Sequence, residues 1–298
     1  MLVKLIFVHG IAQDPGGKDQ LHAKWRKLLR DHATQPELFD AAPSAMAFYA
    51  DILDAATNGA EIVHMGPGGA PSDEAELAFI SAGLRQMARE MGVSDAEIRA
   101  VSTQNAMLVT IEQSGVIGRA LVGALSAIET RLPGAGTIGV RVLKQAHVYL
   151  SRPKTREAID QRLKNELSLA VAAGQRTIVV AHSLGTVVAF KVLRELIADG
   201  IEVPLLVTMG SPLSISAIKN GIGLPWARPS LLASWNNFYD RGDAVALGRG
   251  LTEATFAAGI FNDGTVDNDT SNAHSIEGYL SHPEVIRLLE SSLRNNAP

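Results

Sequence analysis

Thr177-Ile178-Val179-Val180-Ala181-His182-Ser183-Leu184-Gly185 is the stretch on which the reading of this chain turns. Its first five residues form a short β-branched run of the kind that fills a buried strand. Beyond Gly185, the residues Val187, Val188, Val192, Leu193, Leu196 and Ile197 recur at helical spacing, and Gly200 closes the pattern. Ser183 therefore stands on a sharp turn from strand to helix. Such an elbow lifts a serine hydroxyl above the carboxyl ends of a sheet and needs small neighbours two residues to either side. Gly185 meets that need, whereas Ala181 stands where the usual pattern has Gly, one methyl group more. Leu184 opens the helix, whose unpaired N–H groups and positive dipole end point back toward the serine. Its N–H is a candidate donor to an oxyanion. The bland alternative is a serine acting as an ordinary N-cap. Strand, turn and helix in this order favour the elbow.

Outward from this centre, strands and helices alternate. Leu2 to Val8 is apolar on both faces apart from Lys4, as a buried parallel strand is. A loop over Gln13 to Asp19 leads to a helix with Leu21, Trp25, Leu28 and Leu29 on one stripe, and Ala45 to Leu53 is predicted as the next strand. Pro153 opens a helix with Ile159, Leu163, Leu167 and Val171 on one face, ended by Gly174. Val203 to Met209 and Ser234 to Tyr239 read as further strands, and Pro283 to Arg294 as a terminal helix. This alternation predicts an α/β protein with a doubly wound, mostly parallel sheet. The whole chain, 1–298, is read as one domain.

Residues 54–150 depart from that rhythm. The cluster GPGGAP at 66–71 breaks the chain, and Leu77, Ile80, Leu84, Met87 and Met91 predict a helix over 73–91. Residues 107–128 are unusually apolar, with Gly115, Gly118 and Gly123 among Val, Ile and Leu, and PGAG at 133–136 ends the run. Glu112 and Arg119 interrupt it, so no uncharged stretch reaches the ~18 residues of a membrane span. Two readings stay open: an inserted helical cap over an active site, and a plain structural insertion.

Composition narrows the function classes. The chain of 298 residues has 46% hydrophobic and 19% charged residues, an ordinary globular balance. A net charge of -4 gives no electrostatic reason to bind nucleic acid. The absence of cysteine excludes disulfides, thiolate metal sites and a cysteine nucleophile. His22, His32, His64 and His147 show no ligand spacing and no HExxH pattern occurs, so neither metal nor cofactor is expected. The opening MLVKLIFVHG is too short for a signal-peptide core and lacks a small-residue cleavage site, which makes the cytoplasm the expected location. No residue pattern specifies an oligomeric state.

Through Ala181-His182-Ser183-Leu184-Gly185 the chain resembles the α/β-hydrolase superfamily, in particular its lipase-like members with an Ala-His-Ser-x-Gly elbow. The resemblance covers residues 2–53 and 152–298. It implies a catalytic triad in the order Ser, then Asp or Glu, then His. Asp240 and Asp243 both follow a strand; the Gly-Asp-x-Val pattern of similar hydrolases matches Asp243, and Asp240 is the alternative acid. His274, in Asn272-Ala273-His274-Ser275, stands where the family carries its base, after a loop at 262–268. His282, before Pro283, is the competitor, read as a surface or capping residue. His182 is expected to point into the sheet or the cleft wall. His9-Gly10 after the first strand resembles the start of a lipase oxyanion loop, which makes Ile11 the second N–H donor beside Leu184 and His9 a structural residue.

The resemblance implies a serine hydrolase acting on carboxylic esters through an acyl-enzyme. An apolar cap suggests a lipid-like or long-acyl ester and a transient contact with a membrane or lipid interface. The same parts serve an acyltransferase or thioesterase, and a hydrolase-like binding or scaffold protein keeps the fold without turnover.

Overall fold

A computed structural model describes residues 2–11, 16–58, 74–105, 115–196, 201–268 and 272–295. Several features read from the sequence lie outside the described residues: part of the loop after the first strand, the GPGGAP cluster, His64, residues 107–114, Ile197 and Gly200.

In chain order the elements are β1 (Val3–Val8), α1 (Gly17–His32), α2 (Pro36–Ala41), β2 (Ser44–Met46), α3 (Ala50–Asn58), α4 (Glu74–Glu90) and α5 (Asp95–Asn105). There follow α6 (Gly115–Arg131), α7 (Ala135–Ser151), α8 (Pro153–Ala172), β3 (Arg176–His182), α9 (Leu184–Glu195) and β4 (Val203–Met209). The last are α10 (Ser216–Ile222), β5 (Leu232–Asp240), β6 (Phe261–Val266), α11 (Ile276–Ser281) and α12 (Pro283–Asn295).

The six strands form one sheet in the order β2-β1-β3-β4-β5-β6, and every adjacent pair is parallel. Side-chain alternation along the central strands separates two cores. Ile6, Val8, Val179 and Ala181 face one, with α8 and α9; Leu5, Phe7, Ile178 and Val180 face the other, with Trp25 and Leu29 of α1 and Ile286 and Leu289 of α12. Helices thus cover both faces, which is why β1, apart from Lys4, and the middle of β3 read as apolar. After β1 the chain winds to one side of the sheet, and after β3 to the other. The crevice at the carboxyl ends of β1 and β3 is the topological switch point, where open α/β sheets hold their ligands.

Apolar residues of 121–151 take part in packing. Ala124, Ile128, Val142, Leu143 and Ala146 join the core that contains Ile6 and Val179, together with Leu84 and Met87 of α4. Gly83 and Gly139 let these helices approach closely: a Cβ on Gly83 would lie 2.4 Å from Leu143, and one on Gly139 would lie 2.9 Å from Met87. Among the described residues no helix is long and apolar enough to cross a membrane.

Two expectations are corrected. The strand predicted over 45–53 is only three residues long, Ser44–Met46, and Ala50 begins a helix. Tyr49 and Leu53 are both buried four residues apart while Asp51 and Asp54 are exposed, a helical period hidden in a run apolar enough to suit either element. The segment 262–268, expected as a loop, begins as the edge strand β6, paired with β5. Its outer side is largely exposed, so Asn262, Asp263 and Gly264 carry no strand-like alternation.

Candidate active site

Ser183 occupies φ 54° and ψ −129°, a left-handed conformation that costs a side-chain-bearing residue ~1–3 kcal/mol unless its surroundings enforce it. They do. The Ser183 N–H donates to the Met209 carbonyl at 2.9 Å, and its own carbonyl accepts from the Thr186 N–H at 2.9 Å and the Thr186 hydroxyl at 2.7 Å. The Thr186 hydroxyl is in turn 2.7 Å from the Ser211 hydroxyl.

Two glycines bring the loop after β1 onto this turn. A Cβ on Gly185 would fall 2.3 Å from the Val8 carbonyl oxygen, and one on Gly10 would fall 2.5 Å from the Ser183 Cβ and 3.1 Å from its Oγ. Gly185 thus admits the end of β1. Ile11 follows Gly10 directly and is packed on the core, while Leu184 is fully buried at the head of α9. Ala181 takes its extra methyl into the core between sheet and helices.

His274 lies over the serine. Its Nε2 is 2.7 Å from Ser183 Oγ and its Nδ1 is 2.8 Å from Asp243 Oδ2. The carboxylate fixes the tautomer: Nδ1 carries the proton and Nε2 accepts from the serine hydroxyl. Asp243 is nearly fully buried, and its charge is matched by four donors. Its Oδ1 accepts from the N–H groups of Val245 at 2.9 Å and Ala246 at 3.3 Å, and its Oδ2 accepts from the Tyr279 hydroxyl at 2.8 Å as well as from His274. A row of this kind can pass the serine proton to the imidazole while the carboxylate stabilises the resulting cation.

Asp240 does not reach His274. Its Oδ1 accepts from the Gly242 N–H at 2.6 Å and its Oδ2 from the Asn268 N–H at 2.5 Å, so it ties the loops after β5 and β6 together. His282 also stays out of the row, with Nε2 3.2 Å from the Thr265 carbonyl.

His182 does more than line a wall. Its Nε2–H donates to the His274 carbonyl at 3.1 Å, and its ring lies 4.8 Å from that of His274. Burial, then the neighbouring His274, hold its pKa well below the usual histidine range, so it stays neutral. His9 is a loop-fixing residue. Its Nδ1–H donates to the Gly10 carbonyl at 2.7 Å, its Nε2 accepts from the Tyr49 N–H at 3.0 Å, and its ring stacks on Tyr49 at 4.1 Å. Burial lowers its pKa to about 4.

Four residues of this neighbourhood escape sequence reasoning: Tyr279, His182 in its actual role, Asn268 and Gly210. The Asn268 side chain donates to the Ala273 carbonyl at 2.8 Å and the Ser275 carbonyl at 3.3 Å, bracketing His274. Gly210 has φ +54°, and a Cβ there would lie 3.0 Å from Asp243 Oδ2 and 3.1 Å from the His274 ring. Among the described residues no group of three His, Asp or Glu side chains could hold a metal ion. His22 and His147 lie elsewhere, beside Ser44 and Glu76.

In comparison with known proteins, this chain matches no family model and no curated protein.

Proposed function

We propose that this protein is a serine hydrolase of α/β-hydrolase type that cleaves carboxylic esters. The observation that carries the reading is the unbroken row from Ser183 Oγ through His274 to Asp243, with the serine held in a left-handed turn at the switch point of a parallel sheet. A structural serine has no need of a strained turn, a buried imidazole and a four-donor carboxylate together.

In this reading His274 Nε2 takes the hydroxyl proton as Ser183 Oγ attacks the acyl carbon. The N–H groups of Leu184 and Ile11 hold the oxyanion, each worth ~2.7–4 kcal/mol of barrier. As the ester C–O bond breaks, His274 returns the proton to the departing alcohol. Water then enters, gives a proton to His274 and releases the acid, and Ser183 regains its hydrogen. Asp243 is the triad acid, and the turn between α6 and α7, where Leu132, Pro133 and Ala135 meet the acid and base loops, is the covering edge of the inserted helices. Apolar residues described in those helices, among them Ala124, Ile128, Val142 and Leu143, pack in the core; the apolar composition of 107–128 supports a lipid-like or long-acyl ester as the substrate.

Treatment with a fluorophosphonate, followed by mass analysis of the modified peptide, tests the reading. Stoichiometric modification at Ser183, absent in Ser183→Ala, is the expected result. No modification of a folded protein, with and without detergent micelles, would sink it.

A further inference from the structure

The turn that carries His274 is gripped by side chains from other parts of the chain. Ala273, His274 and Ser275 present three carbonyls in succession, and each accepts a side-chain N–H. The Asn268 Nδ2 group donates to Ala273 at 2.8 Å and to Ser275 at 3.3 Å, and His182 Nε2–H donates to His274 at 3.1 Å. Among the described residues neither the Ala273 nor the His274 carbonyl receives a backbone N–H. Both gripping side chains are buried.

Asn268 holds an unfavourable position to do this. Its own N–H is tied to Asp240 at 2.5 Å, while its Oδ1 is buried with no hydrogen-bond partner among the described residues. That oxygen fits only because Gly278 has no side chain: a Cβ there would lie 1.6 Å from it. A buried acceptor left unpaired is destabilising, so what accounts for the amide is its pair of N–H groups.

His182 ties the base to the nucleophile. It adjoins Ser183, so residues 182 and 183 meet residue 274 twice, Ser183 Oγ at the imidazole and His182 at the carbonyl. The first bond is lost in an acyl-enzyme, where Oγ carries the acyl group in place of hydrogen. The second is untouched by acylation. Burial keeps His182 neutral, so its grip adds no positive charge beside an imidazolium on His274.

We propose that His182 and Asn268 are positioning residues that hold His274 in place for deacylation, when the Ser183 hydroxyl no longer can. The inference rests on the hydrolase reading of Ser183. In that step the water oxygen bonds to the acyl carbon as His274 Nε2 takes a proton from it. The bond from Ser183 Oγ to the acyl carbon then breaks, His274 returns the proton to Oγ, and the carboxylic acid leaves. During acylation the serine hydroxyl itself helps to orient the imidazole. Loss of the grip therefore slows the second step more than the first, by about tenfold for a displacement of a fraction of an ångström.

Saturating 4-nitrophenyl acetate separates the steps. The rate of 4-nitrophenol release, combined with the fraction of Ser183 found acetylated by mass in quenched samples, gives both rate constants for the whole protein. His182→Phe keeps a buried ring and removes the donor, whereas His182→Gln keeps an N–H. Asn268→Leu keeps the shape and removes the N–H groups, and Asn268→Asp does the same should the leucine variant fail to fold. Deacylation is expected about tenfold slower in His182→Phe and in the Asn268 variant, with acylation within about threefold of wild type. His182→Gln should stay within about threefold in both steps. Equal slowing of the two steps, wild-type deacylation in either variant, or His182→Gln as slow as His182→Phe overturns the proposal, while fluorophosphonate labelling of Ser183 leaves the hydrolase reading standing. A wild-type protein that fluorophosphonate leaves unmodified overturns both.

Discussion

The Tyr279 hydroxyl donates to Asp243 Oδ2 at 2.8 Å, the same carboxylate oxygen that receives the His274 Nδ1–H. The direction is fixed by a third group, because the Tyr279 oxygen itself accepts from the Asp240 N–H at 3.0 Å. Burial, then the Asp243 charge, push the Tyr279 pKa well above its usual value, so the proton stays on the phenol. Tyr279 thereby holds the carboxylate plane that orients His274. Tyr279→Phe removes one charge-assisted hydrogen bond and should lower kcat/KM about tenfold. It also strands a buried Asp240 N–H, at ~1–3 kcal/mol in stability. Ester kinetics and urea unfolding of the same variant measure the two effects separately.

The two neighbouring acids should part company on substitution. Asp243→Asn presents an amide to Nδ1, selects the wrong imidazole tautomer and should reduce kcat by ~10⁴-fold. Asp240→Asn keeps one acceptor oxygen and loses the other, so the expected loss is ~1–3 kcal/mol in stability, with kcat within about tenfold of wild type. The reverse pattern in paired kinetic and unfolding measurements would show that Asp240 is the acid that matters.

Gly210 leaves no room for a methyl group. Gly210→Ala places a Cβ 3.0 Å from Asp243 Oδ2 and 3.1 Å from the His274 ring, at φ +54°. The backbone penalty is ~1–2 kcal/mol. Moving the imidazole by a fraction of an ångström should slow Ser183 labelling ~10²-fold. Circular dichroism on the labelled sample shows whether the fold persists, and a labelling rate equal to wild type would contradict the geometry.

Stability should fall on mild acidification. His9 is held neutral, with its pKa lowered from 6.5 to about 4, and His182 is shifted in the same direction. Above pH 6.5 neither the folded nor the unfolded chain protonates these rings. Below it the unfolded chain takes up protons first, so folded stability is lost progressively until about pH 4. At ~1.4 kcal/mol per pH unit, His9 alone contributes on the order of 3 kcal/mol across that window. Urea titrations at several pH values give the slope. It should be shallower in His9→Asn, which retains a donor for the Gly10 carbonyl; an unchanged slope would contradict the assignment.

The elbow is legible in the sequence because its determinants lie within a few consecutive residues: a β-branched strand, Ser183, Gly185 and an apolar helix. The parallel sheet is legible for the same reason, since β1, β3 and β4 carry apolar residues on both faces along most of their length. Tyr279 is not legible. Its partner Asp243 lies 36 residues away, and a lone tyrosine in a short helix reads as core. Nor does sequence separate Asp240 from Asp243 by local chemistry, since both stand close together at the end of one strand; the distinction arises because Asn268 and Gly242 already use both Asp240 oxygens. The strand expected over 45–53 fails where apolar residues satisfy two periods at once. The edge strand β6 is missed because its exposed side demands no apolar residue.

Gly10 packs on Ser183 across most of the chain's length, and Ser183 meets a histidine 91 residues further on. No partly folded chain holds these three groups together, because β1, β3 and β6 must first take their places in one sheet. Contacts of such long range form late, after the entropy of closing large loops has been overcome. Reactivity of Ser183 toward a fluorophosphonate would then appear only with the last step of refolding, and would time the completion of the sheet more sharply than any signal from its helices.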